Sequence, residues 1–107
     1  MNSKERFDLT VNHRQPDKMM VDFGATSTTG IHVLAVENLR KYYGLEQRPV
    51  RVVDPYQMLG EIDEELREIL GADALGAKGK NSSFGFYNHA PFKEYQTPWG
   101  QTVLVPV

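Results

Sequence analysis

The apolar positions near the start of the chain predict a short helix followed by a buried strand. Residues 3–12 begin at Ser3, which is suited to cap a helix, and Phe7 and Val11 lie four positions apart, on one helix face. Pro16 ends this segment because proline cannot continue a helix. The apolar run at residues 19–23 is too short for a helix and predicts a buried strand.

Helical spacing returns twice in the middle of the chain. A loop of small residues at 24–30, with threonines suited to cap a helix, leads into an apolar stripe that starts at Ile31 and ends at Gly44. An Asp-Pro pair at residues 54–55 indicates another helix start, and Gly71 ends the apolar face that follows it. These patterns predict two helices after the loop.

The last third of the chain predicts a second buried strand, at residues 74–77, and a hairpin. Residues 92–96 and 101–105 flank the sequence Thr-Pro-Trp-Gly, and proline second with glycine fourth is typical of a β-turn. Short buried strands separated by helices predict a parallel α/β arrangement. Such a sheet needs more strands and helices than this chain supplies, so we expect residues 1–107 to be the opening part of one larger α/β domain.

Composition narrows the classes of function. Twelve Lys and Arg residues stand against 14 Asp and Glu residues, and the net charge of −2 weighs against a general nucleic-acid binder. The absence of cysteine excludes disulfides, a thiolate nucleophile and cysteine-built metal sites in this sequence. No apolar run approaches the roughly 20 residues that span a bilayer, and the charged N-terminal stretch is unlike a secretory signal. We therefore expect a cytoplasmic protein with neither nucleic-acid nor membrane partners.

Three residues around the 24–30 loop are candidates for ligand binding. Asp22 lies at the C-terminal end of the predicted strand, and in α/β barrels this end of each strand faces the active site. The alternative role of Asp22 is to stabilise the loop that follows. Thr29 supplies a hydroxyl at the start of the next helix, where free N–H groups attract anions; the alternative is an ordinary connection with good capping residues. His32 lies beside the loop and is of the residue type that most often carries protons, although nothing in the sequence orients it.

Two other features have simpler interpretations. Five acidic residues between positions 61 and 68 lie around Arg67 at helical spacing, which favours a solvated helix face over a catalytic acid pair. The aromatic cluster at residues 84–87 and the turn residue Trp99 are expected to pack against other groups, or to form a docking surface, rather than to react.

Several stretches of the chain resemble uroporphyrinogen decarboxylase-like proteins, and most closely their anaerobic, corrinoid-methyltransferase-related branch. The N-terminal stretches are SKERF (3–7), NHRQPDK (12–18) and MVDFG (20–24). The later ones are TGIHVLA (29–35), RVVDPYQML (51–59), and PWG (98–100) with VLVP (103–106). Each motif is short, but the motifs are spread over nearly the whole chain, and their order and spacing make the resemblance fairly specific.

The resemblance implies a (β/α)8 TIM barrel, with its cleft at the C-terminal face of the strands. Such a barrel needs about 250 residues, so the chain is expected to be an N-terminal fragment of that α/β fold, with a β-hairpin at its end. Asp22, Thr29 and His32 are then expected to line the cleft and to hydrogen-bond or position the substrate. We expect no catalytic residue within the chain.

The chemistry implied by the resemblance is either cofactor-free decarboxylation of a tetrapyrrole or zinc-dependent methyl transfer between corrinoid proteins and thiols or similar acceptors. The decarboxylases have arginines after their first strand, but residues 22–30 contain none. They also have an aspartate after a later strand, whereas Asp73 precedes the predicted one. Methyl transfer is therefore favoured. The methyltransferases' His and Cys zinc ligands have no match here, so zinc and a corrinoid are expected only for a full-length relative.

We expect the chain to be inactive alone. The full-length parent enzyme is expected to be a lyase or a methyltransferase, and its partner is expected to be a tetrapyrrole or a corrinoid protein. Exposed strand edges are expected to cause self-association. The alternative is a self-standing, non-catalytic binding or interaction module that docks through its aromatic loop and hairpin. Cooperative unfolding of a monomer is the observation that favours this alternative.

Overall fold

The computed structural model describes residues 1–76 and 91–106, and this part contains three helices and five strands. The helices are α1 (Ser3–Val11), α2 (Val33–Tyr42) and α3 (Glu64–Leu70). The strands are β1 (Ile31–His32), β2 (Val50–Asp54), β3 (Leu59–Gly60), β4 (Phe92–Gln96) and β5 (Thr102–Pro106). None of the helices in these two ranges is long and apolar enough to cross a membrane.

The five strands form one mixed sheet in the order β1-β3-β2-β5-β4. β2 and β5 are parallel, with Val50 opposite Val103, and the other neighbouring strands are antiparallel. β4 and β5 pair along their whole length on either side of the turn at residues 97–100. The predicted hairpin is therefore confirmed.

The predicted fold class, an N-terminal fragment of a TIM barrel, is wrong, because the described residues form a small mixed α/β domain. A barrel is built from parallel strands linked by helices, whereas only β2 and β5 are parallel neighbours among the described strands. Residues 19–23 and 74–76, expected to be barrel strands, are not strands, and residue 77 lies outside the described part. A short apolar run indicates burial but does not say whether the burial occurs within a sheet.

The hydrophobic core joins α2, α3 and one face of the sheet. Its buried apolar side chains are Val33, Val36, Val50, Val52, Ile62, Leu66 and Val103. In β2, the buried Val50 and Val52 alternate with the less buried Arg51 and Val53, because successive strand residues point to opposite faces. The second face of β2 is therefore available to line a cleft.

The helix ends agree with the sequence-based prediction at their C termini and differ from it at their N termini. Gly44 and Gly71 follow α2 and α3 with φ values of 69° and 71°, which glycine adopts without a side-chain clash. Asn2 caps α1 in place of Ser3. Its side chain accepts a hydrogen bond from the Glu5 N–H, and the Glu5 carboxylate accepts one from the Asn2 N–H in return.

The Asp-Pro pair at residues 54–55 forms a turn and not the predicted helix start. The Asp54 carboxylate accepts hydrogen bonds from the Tyr56 N–H (3.0 Å) and the Gln57 N–H (3.3 Å). The chain then enters β3, which pairs with β2. Because an aspartate accepts backbone hydrogen bonds in turns as well as at helix starts, this local signal does not distinguish the two structures.

Candidate functional site

A cleft of about 340 Å³ lies between the 24–30 loop and the second face of the sheet. Thr26 and Ser27 line it from the loop, and Arg51 and Glu61 line it from the sheet. Its apolar lining comes from Val53, Leu59, Ile62 and Leu75. An apolar lining with a small number of polar groups is typical of a small-molecule site.

Hydrogen bonds from Asp22 and Thr29, two of the predicted site residues, stabilise the 24–30 loop. The Asp22 carboxylate accepts from the Thr29 hydroxyl (3.1 Å) and from the Ala25 N–H (3.3 Å). The Gly24 N–H donates to the Thr29 carbonyl (2.9 Å). Neither Asp22 nor Thr29 is among the residues that line the cleft. The geometry supports a role in positioning the loop, and contact with a substrate stays a prediction.

Two glycines allow the loop to approach the sheet closely. A Cβ atom on Gly30 would collide with the Leu59 side chain. A Cβ atom on Gly24 would collide with the Ile62 side chain, and Gly24 also has a φ of 90°, which other residues rarely adopt. The position of the loop above the cleft therefore depends on the absence of side chains at these two positions.

The charged residues that line the cleft are Asp54 and the ion pair between Arg51 and Glu61. The Arg51 Nη1 and Glu61 Oε2 atoms are 3.5 Å apart. The Arg51 guanidinium also lies over the Phe92 ring, 4.6 Å from its centroid, in cation–π geometry. Both residues of the pair line a second cavity as well, of about 270 Å³. The pair therefore lies between two cavities.

Beside the second cavity, Asp63 binds two arginines and caps a helix. Its carboxylate lies 2.6 Å from Arg40 Nη1 and 2.7 Å from Arg48 Nη2, and accepts from the Leu66 N–H (2.9 Å) in α3. Burial opposes the ionisation of Asp63, but these hydrogen bonds and the two arginine charges outweigh it, so the pKa of Asp63 lies below its ordinary value. The predicted solvated face is therefore wrong for Asp63, although it fits the exposed glutamates of α3.

His32, the third predicted site residue, is not among the residues that line the cleft. Its Nδ1 accepts from the Leu34 N–H (3.1 Å), so His32 caps α2, the role predicted for a threonine. Its ring centroid lies 5.2 Å from that of Trp99. The Gln101 side chain accepts from the Trp99 indole (2.8 Å) and donates to the Val33 carbonyl (2.9 Å). His32 thus lies where the hairpin turn contacts α2, and ligand binding by it stays a prediction.

The described residues do not fit the zinc ion that the resemblance implies. Within residues 1–76 and 91–106, no three His, Asp or Glu side chains are grouped as metal ligands, and the sequence has no cysteine. The polar groups that line the cleft are the hydroxyls of Thr26 and Ser27, the Arg51–Glu61 ion pair and the Asp54 carboxylate.

The sequence-based prediction missed Arg51 and Glu61. The available signal was Arg51, a charged residue within a run of valines at residues 50–53, which indicates a polar position on the second face of a strand. Its partner could not be found in this way, because the contact depends on how β2 pairs with the chain around β3, where the Glu61 N–H donates to the Arg51 carbonyl (2.9 Å).

Comparisons with known proteins give no match: no family model, no curated protein and no solved structure matches this chain. The resemblance to uroporphyrinogen decarboxylase-like proteins therefore stays a prediction from sequence. The aromatic cluster at residues 84–87, expected above to pack against other groups or to form a docking surface, lies outside the described residues.

Proposed function

We propose that this chain is part of a uroporphyrinogen decarboxylase-like enzyme that carries out corrinoid-linked methyl transfer, and that its cleft receives the small molecule that donates or accepts the methyl group. The stretches that carry the resemblance also supply much of the cleft lining. Gly24 belongs to MVDFG and Gly30 to TGIHVLA, while Arg51 and Leu59 belong to RVVDPYQML. The same segments therefore support both the family and the site.

The size and charge of the cleft favour methyl transfer over tetrapyrrole decarboxylation, and this observation carries the proposal. A volume of about 340 Å³ is near the lower end of the range for ligand pockets, roughly 300–1,000 Å³, and suits a small molecule better than a macrocycle. Among the described lining residues Arg51 is the single arginine; it is paired with Glu61, and Asp54 adds another carboxylate. A substrate with several carboxylates needs a more cationic site.

The proposed partner is a corrinoid protein, and the proposed location is the cytoplasm, where a sequence without cysteine is at no disadvantage. Zinc and the corrinoid are assigned to the enzyme as a whole and not to the described residues, which offer no matching ligand set. The part played by this chain is to bind and orient a small substrate, so the chain alone is not expected to catalyse the reaction.

A blocked cleft tests this proposal. Ser27 is exposed and lines the cleft, so Ser27→Trp is expected to fill it without disturbing the core. Binding of 2-mercaptoethanol, measured by ligand-observed NMR on the purified chain, is expected to weaken by about tenfold or more, because the indole occupies space that the ligand needs. Thr28→Trp is the matched control: Thr28 is an exposed neighbour that does not line the cleft, and its variant is expected to bind like the wild type.

Two results would contradict the proposal. The first is thiol binding that Ser27→Trp leaves unchanged, or no thiol binding at all. The second is Ser27-sensitive binding of uroporphyrin, titrated in parallel as a probe with eight carboxylates, because that result would assign the cleft to the decarboxylase branch.

The second candidate is a self-standing, non-catalytic binding module. It is favoured by the core, in which side chains from α2, α3, β2 and β5 pack together within the described residues. Sedimentation and thermal unfolding of the purified chain distinguish the candidates. A monomer that unfolds in one transition and binds no thiol in the cleft supports the module, whereas thiol binding supports the enzyme.

A further inference from the structure

We infer that His32 is a pH-sensitive switch, which controls the contact between the start of α2 and the hairpin turn at residues 97–100. The neutral imidazole holds the two segments together, and protonation of the ring releases this contact. The inference does not depend on the proposed function, because His32 is not among the residues that line the cleft.

The His32 ring makes two contacts at the same time. Its Nδ1 atom accepts a hydrogen bond from the Leu34 N–H (3.1 Å), which caps α2. The ring also lies beside the Trp99 indole, with 5.2 Å between the ring centroids and 47° between the ring planes. Because a single position of the ring makes both contacts, a chemical change at Nδ1 affects both.

Protonation makes this position of the ring unfavourable. Both nitrogens of a protonated imidazole are donors, so the Nδ1–H of His32 would face a second donor, the Leu34 N–H. Its positive charge would also lie at the N terminus of α2, where the helix dipole favours negative charge. Attraction of a cation to the Trp99 ring acts in the opposite direction, but at an exposed site it is worth less than the cap and the dipole together. The ring is therefore expected to turn away from the start of α2 and from Trp99.

The segments that contact His32 supply no charge that would neutralise the protonated ring. They are the first turn of α2, β3 and the hairpin turn, and none of them contains an ionisable side chain. Within residues 1–76 and 91–106, none of the ion pairs involves His32. The next ionisable residues along the same elements are Glu37 in α2, Tyr56 and Glu61 on either side of β3, and Tyr95 in β4.

A second connection between the hairpin turn and α2 does not titrate. The buried Gln101 side chain accepts from the Trp99 indole (2.8 Å) and donates to the Val33 carbonyl (2.9 Å). Because an amide does not ionise, this connection persists in acid, and the switch is expected to uncap α2 without unfolding the hairpin. Histidine side chains ionise at about pH 6.5, well above the range in which aspartates are protonated, so the switch acts before acid unfolding begins.

The test measures hydrogen exchange of the Leu34 amide in the ¹⁵N-labelled chain at about pH 7.5 and about pH 5.5, on either side of the range in which histidine ionises. Protection factors correct for the effect of pH on intrinsic exchange. The protection factor of Leu34 is expected to be about tenfold lower at the lower pH, the factor that corresponds to the loss of a helix cap. Nuclear Overhauser effects between the His32 and Trp99 rings are expected to disappear over the same range.

Two variants assign the change to His32. His32→Asn has a side chain that caps helices but does not ionise, so its Leu34 protection is expected to be the same at both pH values. The control is the double variant His13→Asn/His89→Asn, which leaves His32 as the single histidine of the three in the sequence. Asparagine also tolerates the positive φ of His13, 58°. The double variant is expected to keep the full tenfold change.

The inference is overturned if Leu34 protection in the wild type is the same at both pH values, if the contacts between the two rings persist at the lower pH, or if His32→Asn keeps the change. Should His32→Asn fail to fold, the double variant decides. Its His32 ring signals and its Leu34 protection must then change with the same midpoint pH, and different midpoints overturn the inference.

Discussion

Asp63→Ala is expected to lower the free energy of unfolding by about 3 kcal/mol, as measured by urea denaturation. The Arg40 side chain is 3% exposed, and its shortest hydrogen bond, at 2.6 Å, is to Asp63. Removal of the carboxylate leaves a buried cation paired with the more distant Glu65 (3.3 Å) and the Glu46 carbonyl. It also removes the N-cap of α3, which by itself contributes about 1 kcal/mol.

Asp63→Asn separates the two contributions. Asparagine caps helices as well as aspartate does, so this variant is expected to lose about 2 kcal/mol, the part that comes from charge pairing. Glu65→Gln is the control, because the Glu65 side chain is 54% exposed and its ion pair with Arg40 is longer. Equal stability of wild type and Asp63→Ala would show that Arg40 does not depend on this carboxylate.

Acid unfolding measures the same interaction in the wild type. The folded-state pKa of Asp63 lies below its ordinary value, so its contribution is fully present above the unfolded pKa of about 3.9 and is lost as the pH falls through the lower, folded value. The free energy of unfolding of the wild type should therefore fall below about pH 4. The free energy of unfolding of Asp63→Asn should fall less over this pH range, because the contribution of the ionised Asp63 carboxylate is already absent from this variant at neutral pH.

Asp73→Asn is expected to lower the free energy of unfolding by about 2 kcal/mol. The Asp73 side chain is 2% exposed and joins three segments of the chain. Its carboxylate accepts hydrogen bonds from the Ser3 hydroxyl (2.7 Å), Arg6 Nη1 (2.7 Å) and the Val21 N–H (2.9 Å). The pKa of Asp73 lies below its ordinary value. The hydrogen bond from the Val21 N–H lowers it most, followed by the hydrogen bond from the Ser3 hydroxyl, and together they outweigh the opposing effect of burial. An asparagine amide would place a donor against one of these donors.

Asp17→Asn is the matched control for Asp73→Asn, because Asp17 pairs with the same Arg6 from an exposed position. It is expected to leave stability almost unchanged. Limited proteolysis adds a second readout, since the loss of Asp73 should detach α1 and make residues 3–12 more susceptible than in Asp17→Asn. Equal behaviour of the two variants would contradict the central role assigned to Asp73.

Local signals in the sequence predicted the features that depend on local structure. Gly44 and Gly71 end their helices because the left-handed conformation at these positions favours glycine in any fold. The β4–β5 hairpin follows from its four-residue turn and the strands on either side. These features need no information about distant parts of the chain.

The sheet could not be predicted in the same way, because its pairing joins distant segments. β1 and β3 have two residues each, too few for any periodic pattern. They are strands because β1 pairs with β3 and β3 also pairs with β2. The apolar run at residues 19–23 is the converse case. Its contact with the segment after α3 is through Asp73, whose N–H donates to the Val21 carbonyl (2.6 Å), and neither segment joins the sheet.

In the candidate site, too, the residues held by local contacts could be predicted and the residues held by contacts between distant segments could not. Asp22 and Thr29 were found from their position at the 24–30 loop, and they do belong to the hydrogen bonds that stabilise it. Arg51 and Glu61 were missed, because the contact between β2 and the residue that follows β3 depends on how these two strands pair. Charged residues within apolar strand runs are therefore the positions to examine first in a chain of this kind.

The most direct test of the account is to map ligand binding on the chain by ¹⁵N–¹H correlation spectra with 2-mercaptoethanol. Binding in the cleft predicts shifts of the amides of Gly24, Ser27, Gly30 and Glu61, and no shift around Trp99. Shifts confined to the hairpin turn and His32, or no shifts at all, would contradict the assignment of the cleft as the functional site.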